Sequence, residues 1–498
     1  MSDDKDAMDF DVVIVGAGIS GINFAYRLQQ SHPDLKYCIL EGRHEIGGTW
    51  SLFKYPGIRS DSDLFTFGFA WRPWTAKQSI AHGDLILDYL KESAAQEGID
   101  QKIRFSHHVD RMNWSSSSNT WSLCVSVNGT DSILVRTRLI FISTGYYDYH
   151  TPLQVEIPGM EDFKGTVVHP QFWPSSLEYS SKRVVIIGSG ATAITLLPSL
   201  TEKAAHVTML QRSPGYVMSI PQRGAFEAVT TKILPRRVAQ WMIRLRWTLL
   251  SFMLVTLCQR FPKPARRYFL RATAKQLPPE MSVDPDFMPS YNPWQQRMCM
   301  CPDGDFFASL RSGKSSIKTG VIDKVTETSI RLRSGEELHP DIIVTATGLK
   351  LRMAGGIEIS IDGEAFDISR HYAWNSAMIE GLPNAVFALG YVDASWTLGA
   401  DATAQLAMRL LKRMKRDGAT AIVPRISAQE KDRLRDRPFL ALSSTYVERG
   451  KNALPRAGNV APWQPRSYYW KDLATAKWGN IQRGLEWVHG GRVTPGED

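Results

Sequence analysis

The sequence predicts an α/β protein: two Rossmann-like dinucleotide-binding domains, with a helical insertion in the second. Three observations predict it. A strand, a glycine-rich turn and a helix open the chain at Asp11; the same pattern returns at Arg183; and residues 226–309 fit neither copy. A chain of 498 residues, 43% hydrophobic and 22% charged, is long enough for several cores. Residues 1–150 and 345–498 are assigned to the first domain, 151–225 and 310–344 to the second, and 226–309 to the insertion.

The first pattern is DVVIVGAGISG, Asp11 to Gly21. Val12 to Val15 read as a buried parallel strand. Gly16, Gly18 and Gly21 fit G-x-G-x-x-G. Such glycines permit a tight turn and let backbone approach a pyrophosphate. A helix from Ile19 to about Gln30, with Ser20 in its first turn, aims its N–H groups at that anion. The next strand, KYCILE, ends at Glu41, where an acid accepts hydrogen bonds from ribose hydroxyls. Strand, helix and acid in register are far more specific than a glycine turn alone, and they suit FAD. EIGGTW follows, with Gly47 and Gly48 allowing backbone close to a flat ligand. Thr49, Trp50 and Val109 are assigned to the same site.

RVVIIGSGATA, Arg183 to Ala193, repeats the design with Gly188, Ser189 and Gly190 in the turn, Thr192 in the helix and Ala193 in place of the third glycine. The strand HVTMLQRS then ends without an acid: Gln211, Arg212 and Ser213 stand there. An acid repels a 2′-phosphate, whereas Arg and Ser bind one, which predicts NADPH over NADH. DIIVTATGLK reads as a strand, Asp341 to Thr345, and a turn returning the chain to the first domain.

Five cysteines, Cys38, Cys124, Cys258, Cys299 and Cys301, include no C-x-x-C. Two nucleotide folds without a redox pair speak against a disulfide reductase, and Cys299 and Cys301 read as small buried hydrophobes. Reduced thiols and an acidic start, MSDDKDAMDFDVV, without an apolar signal core predict a cytoplasmic protein. No metal site is expected. The net charge of +9 is uneven: residues 228–279 hold eleven Lys and Arg and no acid, leaving about −2 elsewhere (9 minus 11). No nucleic-acid motif accompanies that charge.

Residues 163–174 read FKGTVVHPQFWP. Pro170 and Pro174 suit a loop or linker, not a helix interior. Phe163, Gly165, His169, Trp173 and Pro174 give F-x-G-x-x-x-H-x-x-x-W-P directly before the second fingerprint. This resembles the signature of Baeyer–Villiger monooxygenases, class B flavoproteins akin to the flavin-containing monooxygenases. GGTW, YPGIRSDSD (Tyr55 to Asp63), YNPWQQR (Tyr291 to Arg297) and GYVDASWTLGAD (Gly390 to Asp401) extend the resemblance over almost the whole chain. They are similar to the subgroup of ethionamide-activating and AlmA long-chain alkane monooxygenases.

The resemblance implies FAD, NADPH, O₂ and a lipophilic small-molecule substrate. It implies an oxygen adduct at flavin C4a that converts a ketone to an ester or lactone. S-oxygenation or alkane hydroxylation is the alternative, and an NADPH oxidase that only makes peroxide is a third reading. The family's catalytic arginine falls on Arg297 and its partner acid on Asp61, with Arg59 and Asp61 also facing the flavin. His169 is implied to couple domain movement to catalysis. YNPWQQR departs from the arginine segment of the better-known cyclic-ketone oxidisers.

The insertion contains WMIRLRWTLLSFMLVTLCQRF, which reads as helical, with an uncharged run from Trp247 to Gln259. That run is shorter than the roughly 20 residues that span a bilayer. Arg244, Arg246, Arg260, Lys263, Arg266 and Arg267 give it a basic rim. Two expectations follow: helices roofing the substrate pocket, or peripheral contact of residues 228–279 with an anionic membrane.

Overall fold

The computed structural model describes residues 9–440 and 445–490; most of the acidic start, residues 1–8, lies outside the described residues, as do 441–444 and 491–498. The strand Phe10–Val15 is buried but for Asp11, and lies parallel between Tyr37–Leu40 and the end of Asp131–Ile142. Burial on both faces explains its unbroken apolar run. The sheet continues through antiparallel neighbours, Thr120–Val127 and His107–Ser115. Ala385–Phe387 joins Asp131–Ile142 in parallel, so the chain returns to this sheet near its end. The helix Ile19–Ser31 is fixed to the late helix Trp396–Asp417 through Asp401, which accepts from Asn23 Nδ2 at 3.2 Å and from Arg27 Nε at 2.8 Å.

The second sheet is wholly parallel, in the order Ser315–Thr319, His206–Gln211, Arg183–Ile187, Ile342–Thr345, Thr166–Val168. Its last member corrects the linker expectation. Thr166, Val167 and Val168 are β-branched and extend readily, so the middle of FKGTVVHPQFWP forms the sheet edge. Pro170 then opens a short 3₁₀ turn, Pro170–Phe172, where its missing N–H costs nothing.

Residues 225–274 fold into three helices, Ala225–Ile233, Arg236–Arg260 and Pro262–Ala274. The middle one has 25 residues, about 37 Å at 1.5 Å per residue. It is long and apolar enough to cross a membrane by length and composition, which the thirteen-residue run did not show. The helix runs through Arg244 and Arg246 because the protein gives each guanidinium a partner. Arg244 Nη1 donates to the carbonyls of Phe65 (2.9 Å) and Gly68 (2.8 Å), and Arg246 pairs with Glu227. These ties hold the helix along the protein surface. Val238, Trp241, Leu245, Leu249, Met253 and Leu257 are exposed on it. Val217–Ile220 and Cys299–Pro302 then pair in parallel and carry the chain back. Cys299 and Cys301 face the core beneath the second sheet, and burial pushes their thiols up to about 12 and about 11. All five cysteines are free.

Candidate active site

One cavity of about 960 Å³ runs from the first glycine turn to the start of the helix that follows the second. Gly16, Gly18 and Ser20 line it from the first fingerprint, and Ala191, Thr192 and Thr195 from the second. No residue of 225–274 lines it, so the helices are not the roof the sequence suggested. Their apolar side faces solvent, or a smaller cavity, instead.

The glycines have separate duties. Gly16 has φ +101°, and a Cβ there would lie 2.8 Å from the Ser143 carbonyl oxygen; one on Gly21 would lie 2.0 Å from the Gly16 oxygen. Those two are demanded by packing. A Cβ on Gly18 meets no protein atom closer than the Gly48 Cα at 3.8 Å. It would project into open space above the helix N-terminus. The second turn repeats this: a Gly188 Cβ would lie 2.2 Å from the Ala346 oxygen, and one on Gly190 meets nothing within 4 Å. Space at the middle glycine, kept clear in both turns, fits a pyrophosphate against each helix N-terminus.

Glu41 reaches into the first turn. Its Oε2 accepts from Ala17 N at 2.7 Å and its Oε1 from Arg43 N at 2.9 Å. Burial pushes its carboxyl up against the pull of those N–H groups. Each oxygen keeps a lone pair for a ribose hydroxyl. Gly48 (φ +55°) caps the helix Thr49–Leu52 beside Gly18. Thr49 Oγ1 bonds the hydroxyls of Tyr147 and Tyr149, and Trp50 packs edge-on to Phe67. Val109 lines the same cavity. Trp396, in the GYVDASW segment, donates from Nε1 to Ser20 Oγ at 2.9 Å and stacks on Tyr146 at 5.0 Å. The sequence reading singled out that segment but not this residue.

At the second turn Ser189 Oγ donates to the Ser213 carbonyl at 3.1 Å, and Arg212 and Ser213 are exposed at the strand end. Gln211 departs from its expected role. It is buried, and its Nε2 donates to the Asp286 carbonyl (2.7 Å) and Thr319 Oγ1 (3.0 Å), so it braces the strand end.

Arg297 and Asp61 meet across the cavity wall. Arg297 Nε lies 2.8 Å from Asp61 Oδ2 and Nη2 lies 3.0 Å from Oδ1, a two-point pairing of planar groups. Nη2 also reaches Ser62 Oγ at 3.2 Å, and Nη1 the Val392 carbonyl at 3.3 Å. Both side chains stay open to the cavity, 32% and 40% exposed. Arg59 and Asp63 now separate from them. Arg59 is buried and paired with Asp305 at the start of the helix Asp305–Arg311. Asp63 caps the helix Leu64–Phe67, accepting from Thr66 N at 2.7 Å.

His169 does not line the cavity. Its Nδ1 accepts from Gln171 N at 3.2 Å and burial pulls its pKa down, so the ring is a neutral cap on the 3₁₀ turn. Phe163 packs under the second sheet, and a Cβ on Gly165 would lie 2.6 Å from the Asp341 carbonyl oxygen. Trp173 packs edge-on to Tyr179, and Pro174 is exposed beside it. Among the described residues no cluster suits a metal ion.

The fold and the paired turns define a two-dinucleotide flavoprotein oxidoreductase. A family model described as pyridine nucleotide-disulphide oxidoreductase matches residues 13–223. The FAD-containing monooxygenase EthA of Mycobacterium tuberculosis is 43% identical over 472 residues, 95% of this chain and 96% of EthA. A protein of Acinetobacter baylyi named "Probable FAD-binding monooxygenase AlmA" is 40% identical over 476 residues, 95% of each chain. A steroid monooxygenase solved with NADP superposes with TM-score 0.73 at 18% identity, over 96% of this chain and 99% of that one. This chain belongs to the family of FAD-containing monooxygenases.

Proposed function

We propose that the protein is an NADPH- and O₂-dependent monooxygenase that converts a lipophilic ketone to an ester or lactone. The observation that carries this reading is the two-point Arg297–Asp61 pair, open to the cavity that runs from the first glycine turn to the helix after the second. Gly16, Gly18, Glu41, Gly48, Thr49 and Trp50 would hold FAD, and Gly188, Ser189, Gly190, Thr192, Arg212 and Ser213 would hold NADPH. The first sheet, with residues 345–498, is the flavin domain, and the second is the NADPH domain. Bound FAD, reduced by NADPH, supplies the oxygen chemistry.

The chain's own part is position and charge. Carbonyl addition leaves negative charge on the substrate oxygen. Arg297 offers that oxygen a cation whose proton cannot be lost, in a planar fork that Asp61 holds still. Tyr146 and Trp396, stacked on the wall, with Leu389 and Leu440 beside them, keep water from that end. A pre-placed charge does more for a carbonyl adduct than for oxygen transfer to sulfur or to an alkane. That favours the ketone reading over both, and over a simple peroxide-forming oxidase.

The exposed apolar side of Arg236–Arg260 with its basic flanks supports peripheral contact with an anionic membrane, from the cytoplasmic side. The deciding experiment incubates purified protein with NADPH, O₂ and separate panels of ketones, sulfides and alkanes, with product and peroxide both quantified. Esters from ketones are expected. Sulfoxides without esters, or peroxide alone, would replace this reading with an alternative.

A further inference from the structure

Beside the large cavity lies a second one of about 40 Å³. Thr248, Ser251, Phe252 and Val255 of the helix Arg236–Arg260 form one wall, and Tyr468 and Trp470 face them. Its inner end is the segment from Tyr391 to Ser395. Tyr391 and Ala394 line both cavities, and Val392 between them accepts from Arg297. The strip of backbone that anchors Arg297 on one side is thus the back wall of the small cavity on the other.

Three rings shut its outer end. Phe252 stands edge-on to Trp470 at 4.0 Å and to Tyr468 at 5.4 Å, and Tyr468 and Trp470 stack at 5.7 Å. Tyr468 and Trp470 are 40% and 39% exposed, so the rings have solvent to swing into. Residues 248, 251, 252 and 255 share one helix face, and the stripe beside it displays Leu245, Leu249 and Met253. The closed door therefore opens beside an apolar surface. The large cavity has to take FAD and the reacting end of NADPH, which leaves little of it for a long substrate.

We infer that the small cavity is the closed outer end of a substrate passage to Arg297. It takes the alkyl chain of a long ketone whose carbonyl reaches the arginine, with Phe252 and Trp470 setting the accepted chain length. In its closed form it has room for a few waters only, so the rings must turn to admit a chain. Side-chain rotation of part-exposed rings is fast compared with turnover. Each methylene buried in such a passage strengthens binding roughly fourfold.

The inference rests on the monooxygenase reading above, and its test separates the two. The holoenzyme is assayed with a series of 2-alkanones from butanone to dodecanone, as wild type, Ser251→Trp and Phe252→Ala. Ser251→Trp, filling the crevice, is expected to raise KM for 2-dodecanone roughly tenfold or more, the loss of about two buried methylenes. It should leave 2-butanone kcat/KM and flavin reduction by NADPH unchanged. Phe252→Ala should extend the accepted chain length. Equal effects on short and long ketones, or none on either, overturn the passage.

A second measurement needs no turnover. Binding of 12-bromododecan-2-one should quench tryptophan emission, with part of the quench lost in Trp470→Phe. Quenching at Trp470 without ester formation sustains the passage and overturns ketone oxidation. Ester formation with a quench identical in Trp470→Phe sustains the oxidation and overturns the passage.

Discussion

Two arginines stand in one cavity wall and do different work. Arg59 is buried against Asp305, so its charge is spent on holding a helix start. Arg297 shares its charge with Asp61 but stays open to the cavity. Arg297→Ala should still bind FAD and oxidise NADPH, yet lose ester formation by on the order of 10²-fold or more, with the electrons appearing as peroxide. Arg297→Lys should rescue poorly, because a compact ammonium cannot match the two-point contact with Asp61. Near-normal ester yield from Arg297→Ala would remove the residue from the mechanism. The glycines make a second prediction. Gly18→Val adds atoms to empty space, so the protein should fold and melt like wild type stripped of its flavin, and purify without flavin. Gly21→Val, aimed at a backbone oxygen 2.0 Å from its Cβ, should damage the fold itself. Flavin absorbance against melting temperature tells the two apart. For the second nucleotide, Arg212→Ala should raise KM for NADPH far more than for NADH, by the roughly 1.5–3 kcal/mol of a charge-assisted contact. Equal losses with both cofactors would mean that Arg212 does not read the phosphate.

At the scale of elements, the strands and helices around each glycine turn were legible because three signals coincide there: an apolar run, a fixed glycine spacing and a helical period. Two elements escaped. Thr166–Val168 was hidden by its flanking prolines, although three β-branched residues in a row were a strand signal in themselves. Of the helix Arg236–Arg260, read as helical from Trp241 on, the membrane-spanning length escaped because Arg244 and Arg246 interrupt its uncharged run. Only tertiary partners, the Phe65 and Gly68 carbonyls and Glu227, show that both arginines are held without leaving the helix. The outward side of that helix carries a prediction of its own. The protein should sediment with vesicles containing anionic lipid more than with neutral ones, less so as salt rises. Trp241→Glu, at a site 64% exposed, should weaken the binding without lowering stability. Indifference to lipid charge would exclude a basic rim acting on the membrane.

For the whole molecule, the sequence showed which pieces exist but not how distant ones meet. Asp61 and Arg297 lie 236 positions apart, and only the resemblance of their motifs joined them; no local pattern pointed to Asp305 or Trp396. The crossings between the sheets were equally hidden. The chain leaves the first sheet through residues 143–151 and returns through 346–352, and the two crossings are stitched together. Asp148 N donates to the Lys350 carbonyl at 2.8 Å, and the buried Asp148 carboxylate faces Lys350 at 3.4 Å and Arg352 at 3.1 Å. Gln171 Nε2, two residues past His169, donates to the Asp148 carbonyl at 2.7 Å. The segment that carries the signature is thus tied to this double crossing through Gln171, while His169 itself does not line the cavity. Burial pushes the Asp148 carboxyl up, but the N–H groups of His150 and Thr151 and the Arg352 guanidinium outweigh it and hold it below the usual carboxylate range. A depressed carboxyl stabilises the fold fully above its unfolded pKa near 3.9 and loses that contribution as pH falls through the folded value. Asp148→Asn keeps the shape and the backbone contacts but removes the charge. With both cations part-exposed, the cost should be modest, roughly 1 kcal/mol. The gap in melting temperature between wild type and Asp148→Asn should stay constant from about pH 5 to 8 and close only below about pH 4, with flavin content equal in both. A gap that instead changed between about pH 6 and 7 would assign the coupling to a histidine, and Asp148 would lose its place as the clasp between the two nucleotide domains.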